Sequence, residues 1–190
     1  MTKQLDVAII GSGSAGLCAA LWLSTYNIRC KVFEKRNGPL KLGHADGVQC
    51  RTVEIFESFG LGTQLLTEAH RVTEVSFWSD QDSKQGIQRH GRTADPPIGL
   101  SHQPHVVLRQ ARVNELLIEE MKRRNGQDVD YNCNVLDLAF REQQQDDPDA
   151  YPVTLTVESQ GVKETYDAKY VLVSHVTIFF VLVALLMFLI

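Results

Sequence analysis

The amino-terminal 35 residues combine a strand, a glycine-rich turn, a helix, a second strand and a terminal acid. Residues 6–35 read DVAIIGSGSAGLCAALWLSTYNIRCKVFEK. The apolar run at 5–10 is typical of a strand buried on both faces of a parallel sheet. Gly11, Gly13 and Gly16 follow it at G-x-G-x-x-G spacing. This order predicts a strand–helix–strand unit in which a helix N-terminus faces a phosphate group.

Each glycine of this turn has a different expected role. Gly11 permits the tight turn, Gly13 lets the backbone approach a pyrophosphate, and Gly16 lets the helix pack closely on the strand. Glu34 lies 18 residues beyond Gly16, at the end of the second strand. A carboxylate at that position can accept hydrogen bonds from ribose hydroxyls. The unit therefore predicts a site for the adenosine diphosphate half of a dinucleotide.

The composition is that of an ordinary globular domain. The 190 residues are 44% hydrophobic and 22% charged, with a net charge of −4, so nothing indicates a nucleic-acid partner. Cys18, Cys30, Cys50 and Cys133 are scattered, which argues against a disulfide framework or a metal site. The N-terminus has no signal peptide pattern. These features predict an intracellular, cytoplasmic location.

Hydrophobic periodicity and turn residues predict the remaining elements. Helices are expected over 51–59, 61–69 and 110–124, and strands over 72–79, 106–108, 135–140, 153–157 and 170–173. Residues 163–166 are expected to form the hairpin partner of 153–157. The polar, glycine- and proline-containing stretch at 79–102 is expected to be a long surface connection.

Three further stretches carry a family resemblance. HADGVQCRTVEIFESFGL (44–61), HVVLRQARVNELL (105–117) and AYPVTLTVES (150–159) occur in this order, and the third leads to AKYVLVSH. Together with the glycine turn they resemble the phenol hydroxylase branch of the single-component, FAD-dependent aromatic monooxygenases, over about 6–173. The resemblance implies an α/β fold, namely a Rossmann-type FAD/NAD(P)-binding domain with part of an inserted β-sheet region. It also implies hydroxylation of a small phenolic substrate, with FAD as cofactor and NADPH as reductant.

The resemblance assigns site residues. The pyrophosphate would be lined by Gly11, Gly13, Ser14, Ala15 and Gly16, and the ribose and adenine would be surrounded by Glu34, Lys35 and Arg36. Asp46 matches an aspartate in the family's A-D-G loop beside the flavin, where a carboxylate can assist proton transfer from the phenol. The alternative for Asp46 is turn chemistry, since Asp-Gly is a common turn pair.

The other assigned positions are less specific. Gln110 matches a family FAD contact at the start of its helix. Arg51 and Arg112 could contact phosphate or flavin, or could equally be surface ion-pair partners. His44 and His105 border these loops, where a lone histidine is more often structural than catalytic.

The resemblance stops after the strand at 170–173. The family continues with a C-D-G-x-x-S-x-V-R stretch, whereas Ser174 and His175 here lead into an apolar tail at 176–190. Residues 1–175 are therefore interpreted as an incomplete, truncated FAD-binding domain, expected to be inactive alone. The tail is either a possible transmembrane segment, giving a membrane-associated location, or a truncation artefact.

Two other function classes remain open at this stage. One is a plain NAD(P)-dependent dehydrogenase domain, against which the flavin-type loop at 44–52 argues. The other is a membrane-tethered, non-catalytic dinucleotide-binding protein, which only residues 176–190 support. The sequence leaves the oligomeric state open.

Overall fold

A computed structural model describes residues 2–43, 45–80, 86–97, 99–144 and 147–174. The chain divides into two compact units. The first contains the described residues of Met1–Leu40 and Asn114–Ile190, and the second contains those of Lys41–Val113. The tail at 176–190 and His44 lie outside the described residues, so the expectations attached to them stay predictions.

The first unit is built on a six-stranded sheet. Its strands are β1 (Lys3–Ile10), β2 (Cys30–Phe33), β8 (Val129–Asp130), β9 (Cys133–Phe140), β10 (Val153–Ser159) and β11 (Val162–Val173). They lie in the order β8-β2-β1-β11-β10-β9. The pairs β8–β2, β2–β1 and β1–β11 are parallel, and β11–β10 and β10–β9 are antiparallel. This mixed parallel and antiparallel sheet, together with the helices of the chain, confirms the predicted α/β fold class.

The last strand differs from the sequence prediction. Residues 163–166 and 170–173 belong to one strand, β11, and not to two. Its first half pairs antiparallel with β10, from Ser159↔Val162 to Val153↔Ala168. Its second half pairs parallel with β1, up to Ile10↔Val173. Tyr166, Asp167 and Ala168 pair with both neighbouring strands, so the two pairings overlap within one continuous strand.

Two helices belong wholly or mainly to the first unit. α1 (Ser14–Thr25) confirms the predicted helix after the glycine turn, and its residues Leu17, Ala20 and Leu21 are almost fully buried. α4 (Gln110–Asn125) confirms the predicted long helix, and Leu117 and Met121 are equally buried. Because β1 ends in four consecutive buried residues, both of its faces are covered, as expected for a parallel strand.

The second unit contains two short helices and two small sheets. The helices are α2 (Cys50–Ser58) and α3 (Gly62–Glu68), joined through Gly60, whose φ of +81° favours glycine. A three-stranded sheet is formed by β3 (Gly47–Val48), β7 (His105–Val107) and β4 (His70–Val72), in that order. The buried residues of the second unit include Val53, Phe56, Leu65 and Val106.

A second sheet corrects the sequence analysis. The strand expected over 72–79 is split between β4 and β5 (Glu74–Ser79), which lie in different sheets. The expected connection at 79–102 contains β6 (Gln88–Ala94), which pairs antiparallel with β5. β6 was missed because its sequence, QRHGRTA, is polar and mostly exposed, so it shows no apolar alternation.

Candidate FAD-binding and substrate-proximal sites

The glycine turn follows directly from β1. Gly11 has φ of +100°, and its N–H donates to the Phe33 carbonyl at 2.8 Å, which joins the turn to the end of β2. A Cβ on Gly16 would lie 2.2 Å from the Gly11 carbonyl oxygen and 2.6 Å from Ser174 Oγ. Glycine is therefore required at position 16 by close packing, as the spacing predicted.

The N-terminus of α1 has the features of an anion site. Its N-cap residue is Gly13, which has no side chain to cap the helix, and the first turn contains no acidic residue. A Cβ on Gly13 would meet no atom within 4 Å, so open space adjoins the turn. The first N–H groups of a helix attract anions. Ser14 and Ala15 begin this first turn, as the sequence assignment requires.

Glu34 is the centre of a buried hydrogen-bond network. Its side chain is almost fully buried, and its Oε2 accepts from Ser12 N at 2.8 Å, Ser12 Oγ at 2.9 Å and Arg36 Nη2 at 3.0 Å. Its Oε1 accepts from Arg36 N at 3.0 Å. Acceptor capacity for a ribose hydroxyl therefore lies on Oε1. Ser12, which the sequence analysis did not single out, fixes the carboxylate to the glycine turn.

The charges around Glu34 shift its protonation strongly. Burial alone would raise the pKa of Glu34, but hydrogen bonds from Arg36 and Ser12 outweigh it and lower the pKa to about 2. The pKa of Arg36 is raised, chiefly by its hydrogen bond to Glu34. Arg36 Nη2 also contacts Ser12 Oγ at 3.0 Å, so this guanidinium lies beside the turn, whereas Lys35 is exposed. The pair therefore stays ionised at neutral pH.

Two polar atoms in this unit suit a ligand. Among the described residues, Asn114 Nδ2 and Tyr131 Oη are buried side-chain atoms without a hydrogen-bond partner. Asn114 Oδ1 accepts from Ser14 Oγ at 2.7 Å, at the glycine turn. Tyr131 follows β8, and burial raises the pKa of its hydroxyl, with Arg36 and Glu34 close enough to influence it. With the open space at Gly13, these atoms fit a dinucleotide along the turn and the end of β2.

In the second unit the loop carrying Asp46 is held by backbone hydrogen bonds. Leu108 N donates to Asp46 O at 2.8 Å, and Gln110 N donates to Ala45 O at 3.2 Å. The following residues form β3, which pairs with β7. A Cβ on Gly43 would lie 2.6 Å from Gln110 Cβ, so Gln110 packs directly on the loop. Two positions assigned separately from the sequence, Asp46 and Gln110, therefore come together.

The Asp46 loop borders a cavity. Its volume is about 280 Å³, and it is lined by Lys41, Leu42, Gly43, Ala45, Asp46 and Arg109. Asp46 is exposed to solvent. The cavity thus combines one carboxylate with two cationic side chains. Such a set can exchange a proton with a ligand and attract negative charge.

The two candidate arginines of this unit form ion pairs. Arg112 binds Glu68 in a bidentate manner, with Nε to Oε2 at 2.6 Å and Nη2 to Oε1 at 2.9 Å. Arg51 is largely exposed and pairs with Glu54 within α2. These contacts agree with the ion-pair alternative for both residues. Their contact with phosphate or flavin stays a prediction.

His105 is more constrained than a surface histidine. Its Nδ1 lies 2.7 Å from Asp95 Oδ2, and both side chains are mostly buried. Its Nε2 lies 3.5 Å from Gln49 Nε2. Asp95 directly follows β6 and His105 begins β7, so this pair joins the end of β6 to the start of β7. Within the described ranges, no group of His, Cys, Asp or Glu could hold a metal ion.

In the described part of the chain, no helix is long and apolar enough to cross a membrane.

A protein-family model described as "FAD binding domain" matches residues 4–173. The chain is 48% identical over 177 residues to the FAD-dependent monooxygenase terD of Aspergillus terreus, covering 92% of this chain and 29% of that protein. It is 40% identical over 177 residues to the 3-hydroxybenzoate 4-monooxygenase of Comamonas testosteroni, covering 89% and 27%. The chain therefore spans less than a third of these relatives.

Solved structures share the fold. The p-nitrophenol 4-monooxygenase PnpA of Pseudomonas putida DLL-E4 superposes with a TM-score of 0.75 at 19% identity, covering 90% of this chain and 41% of that one. The flavin-dependent monooxygenase PieE, solved with FAD and substrate, gives a TM-score of 0.72 at 22% identity, covering 88% and 29%. The family model covers 170 of the 190 residues, including the glycine turn and the buried acid that follows β2. The chain belongs to the FAD binding domain family.

Proposed function

We propose that the chain supplies the FAD-binding part of a monooxygenase that hydroxylates phenolic rings with NADPH and O₂. The observation that carries this proposal is the Asp46 loop, which places an exposed carboxylate on a cavity with Lys41 and Arg109. Two relatives, 48% and 40% identical to this chain, are named as monooxygenases, and the second is a 3-hydroxybenzoate 4-monooxygenase. This support comes from the site and from relatives that are much longer than the chain.

The residues divide the work between the two units. In the first, the N–H groups at the start of α1 would hold the phosphates of FAD, and Glu34 would accept from its ribose. Bound FAD would supply the redox and oxygen chemistry. In the second unit, Asp46 would take the proton of the phenol hydroxyl, because an ionised phenol is a more electron-rich ring. Lys41 and Arg109 would favour a negatively charged substrate in the cavity.

A chimeric enzyme tests the proposal. Residues 4–173 would replace the matching region of the Aspergillus terreus relative, and the purified protein would be assayed with phenols and hydroxybenzoates. We expect a yellow protein that oxidises NADPH and hydroxylates at least one of these rings, with the unaltered relative as reference. A chimera that retains FAD but leaves every ring unchanged would refute the proposed activity.

Asp46→Asn in that chimera is expected to slow hydroxylation on the order of 10²-fold, the usual contribution of a general base. FAD affinity and the thermal midpoint should stay close to those of the parent, because exposed side chains contribute little to stability. Product formation and thermal unfolding measure the two effects. Asp149→Asn, at another exposed aspartate, serves as the control. A lower midpoint with normal turnover would return Asp46 to the role of a turn residue.

We also propose a cytoplasmic location. All four cysteines are free thiols in the structure, which is consistent with a reducing compartment. Fractionation of cells that express the native protein tests this location, and recovery of the chain in the membrane fraction would contradict it.

A further inference from the structure

Asn114 is an unusual residue on the buried side of α4. Its residue is only 2% exposed, and the buried apolar residues Leu117 and Met121 follow at helical spacing on the same helix. Its Oδ1 accepts a hydrogen bond from Ser14 Oγ at 2.7 Å, across 100 residues of sequence. A polar side chain therefore occupies a core position and reaches the first residue of α1.

The other end of the same amide is unsatisfied. Asn114 Nδ2 is buried and has no hydrogen-bond partner among the described residues. A buried donor without a partner destabilises a fold, and an apolar residue of similar shape would avoid that cost. The Ser14 hydrogen bond is thus accompanied by a stability penalty, which points to a role other than folding.

We propose that Asn114 is a positioning residue for the phosphate groups of the bound dinucleotide, acting through the Ser14 hydroxyl. An amide can present either its oxygen or its NH₂ group to a hydroxyl. In the arrangement described, the Ser14 proton is donated to Oδ1 and Nδ2 is left unsatisfied. With the amide reversed, Nδ2 donates to Ser14 Oγ, and the Ser14 hydroxyl can then donate its hydrogen to a different acceptor.

In that arrangement the Ser14 hydroxyl needs a hydrogen-bond acceptor at the start of α1. A phosphate oxygen is the acceptor that this site favours, because Gly13 leaves the helix N-terminus uncapped and open. Phosphate binding and reversal of the amide would therefore support each other. The inference rests on cofactor binding by the first unit and does not depend on the proposed hydroxylation.

Variants of the full 190-residue chain test this coupling. We expect Asn114→Leu and Ser14→Ala each to weaken FAD binding about three- to tenfold, as for one hydrogen bond, and the double variant to bind no more weakly than either. The thermal midpoint of cofactor-free Asn114→Leu should be unchanged or higher, since it removes an unsatisfied donor. Asn125→Leu, the same substitution at the end of α4, should leave FAD affinity within about twofold. The Asn114 side-chain amide ¹⁵N resonance should shift when ADP or pyrophosphate is added.

A purely structural role gives a different pattern. Asn114→Leu would then lower the thermal midpoint and leave FAD affinity unchanged. Additive losses in the double variant would show that Asn114 does not act through Ser14. Each of these results, or an amide resonance that ignores ADP and pyrophosphate, would overturn the proposal, as would a parent chain that binds neither ADP nor FAD.

Discussion

Gly16→Ala is expected to destabilise the chain by about 3 kcal/mol, at the upper end of the usual cost of overpacking, and to abolish FAD binding. The added Cβ would lie 2.2 Å from the Gly11 carbonyl oxygen and 3.3 Å from its carbonyl carbon. These are backbone atoms, and the Gly11 N–H is fixed by its bond to the Phe33 carbonyl. The turn therefore cannot yield without separating β1 from β2. Urea unfolding followed by circular dichroism measures the effect.

Gly13→Ala is the matched comparison for this prediction. Its φ of −73° suits any residue, and its Cβ would meet no atom within 4 Å, so we expect stability within about 1 kcal/mol of the parent. The methyl group would instead occupy the space where the backbone approaches a pyrophosphate. FAD affinity should fall about tenfold. Equal stability of Gly16→Ala and the parent would show that helix and strand do not pack as described.

Acid should destabilise the parent chain more than its Glu34→Gln variant. The pKa of Glu34 is lowered from the usual 4.5 to about 2 in the folded chain, so folding favours the ionised form. Its contribution is complete above about pH 4.5 and is lost as the pH falls toward 2. This difference in pKa between the unfolded and folded chain contributes about 3 kcal/mol to the stability at neutral pH, of which about 1.4 kcal/mol is lost by pH 3.5.

The measurement compares unfolding free energies of parent and variant from pH 7 to pH 3.5. The free energy of unfolding of the parent should exceed that of the variant by about 1.4 kcal/mol less at pH 3.5 than at pH 7. Carboxyl groups that are common to both proteins contribute equally and cancel. Glu164→Gln is the control, because hydrogen bonds from Tyr166 and Lys3 lower the pKa of an exposed carboxyl. Solvent screens that site, so the difference in unfolding free energy between the parent and Glu164→Gln should change far less with pH. A constant difference for Glu34→Gln would mean that the buried network does not hold the ionised form.

The sequence predicted the parts of the site that depend on local geometry. Three glycines at fixed spacing determine where a turn can form, and an acid after the second strand must lie beside that turn. Those two predictions needed only the order of neighbouring elements. Asp46 and Gln110 were assigned differently, by the resemblance of the motifs that contain them to a known family.

Contacts between distant residues could not be predicted in this way. The Asn114–Ser14 hydrogen bond joins residues 100 positions apart, and its only sequence signal is a polar residue in an apolar helical stripe. Arg112 could have paired with phosphate or with an acid, and periodicity does not place Glu68 beside it. β6 was missed for a related reason, since its pairing with β5 is exposed and leaves no apolar pattern.

The most direct test of the central claim is a titration of the 190-residue chain with FAD, ADP and FMN. If the glycine turn, the start of α1 and Glu34 hold the adenosine diphosphate half, FAD should bind, ADP should displace it, and FMN should bind neither tightly nor competitively. Flavin fluorescence and calorimetry report these affinities. Binding of FMN as tight as that of FAD, or failure of ADP to displace FAD, would contradict the account.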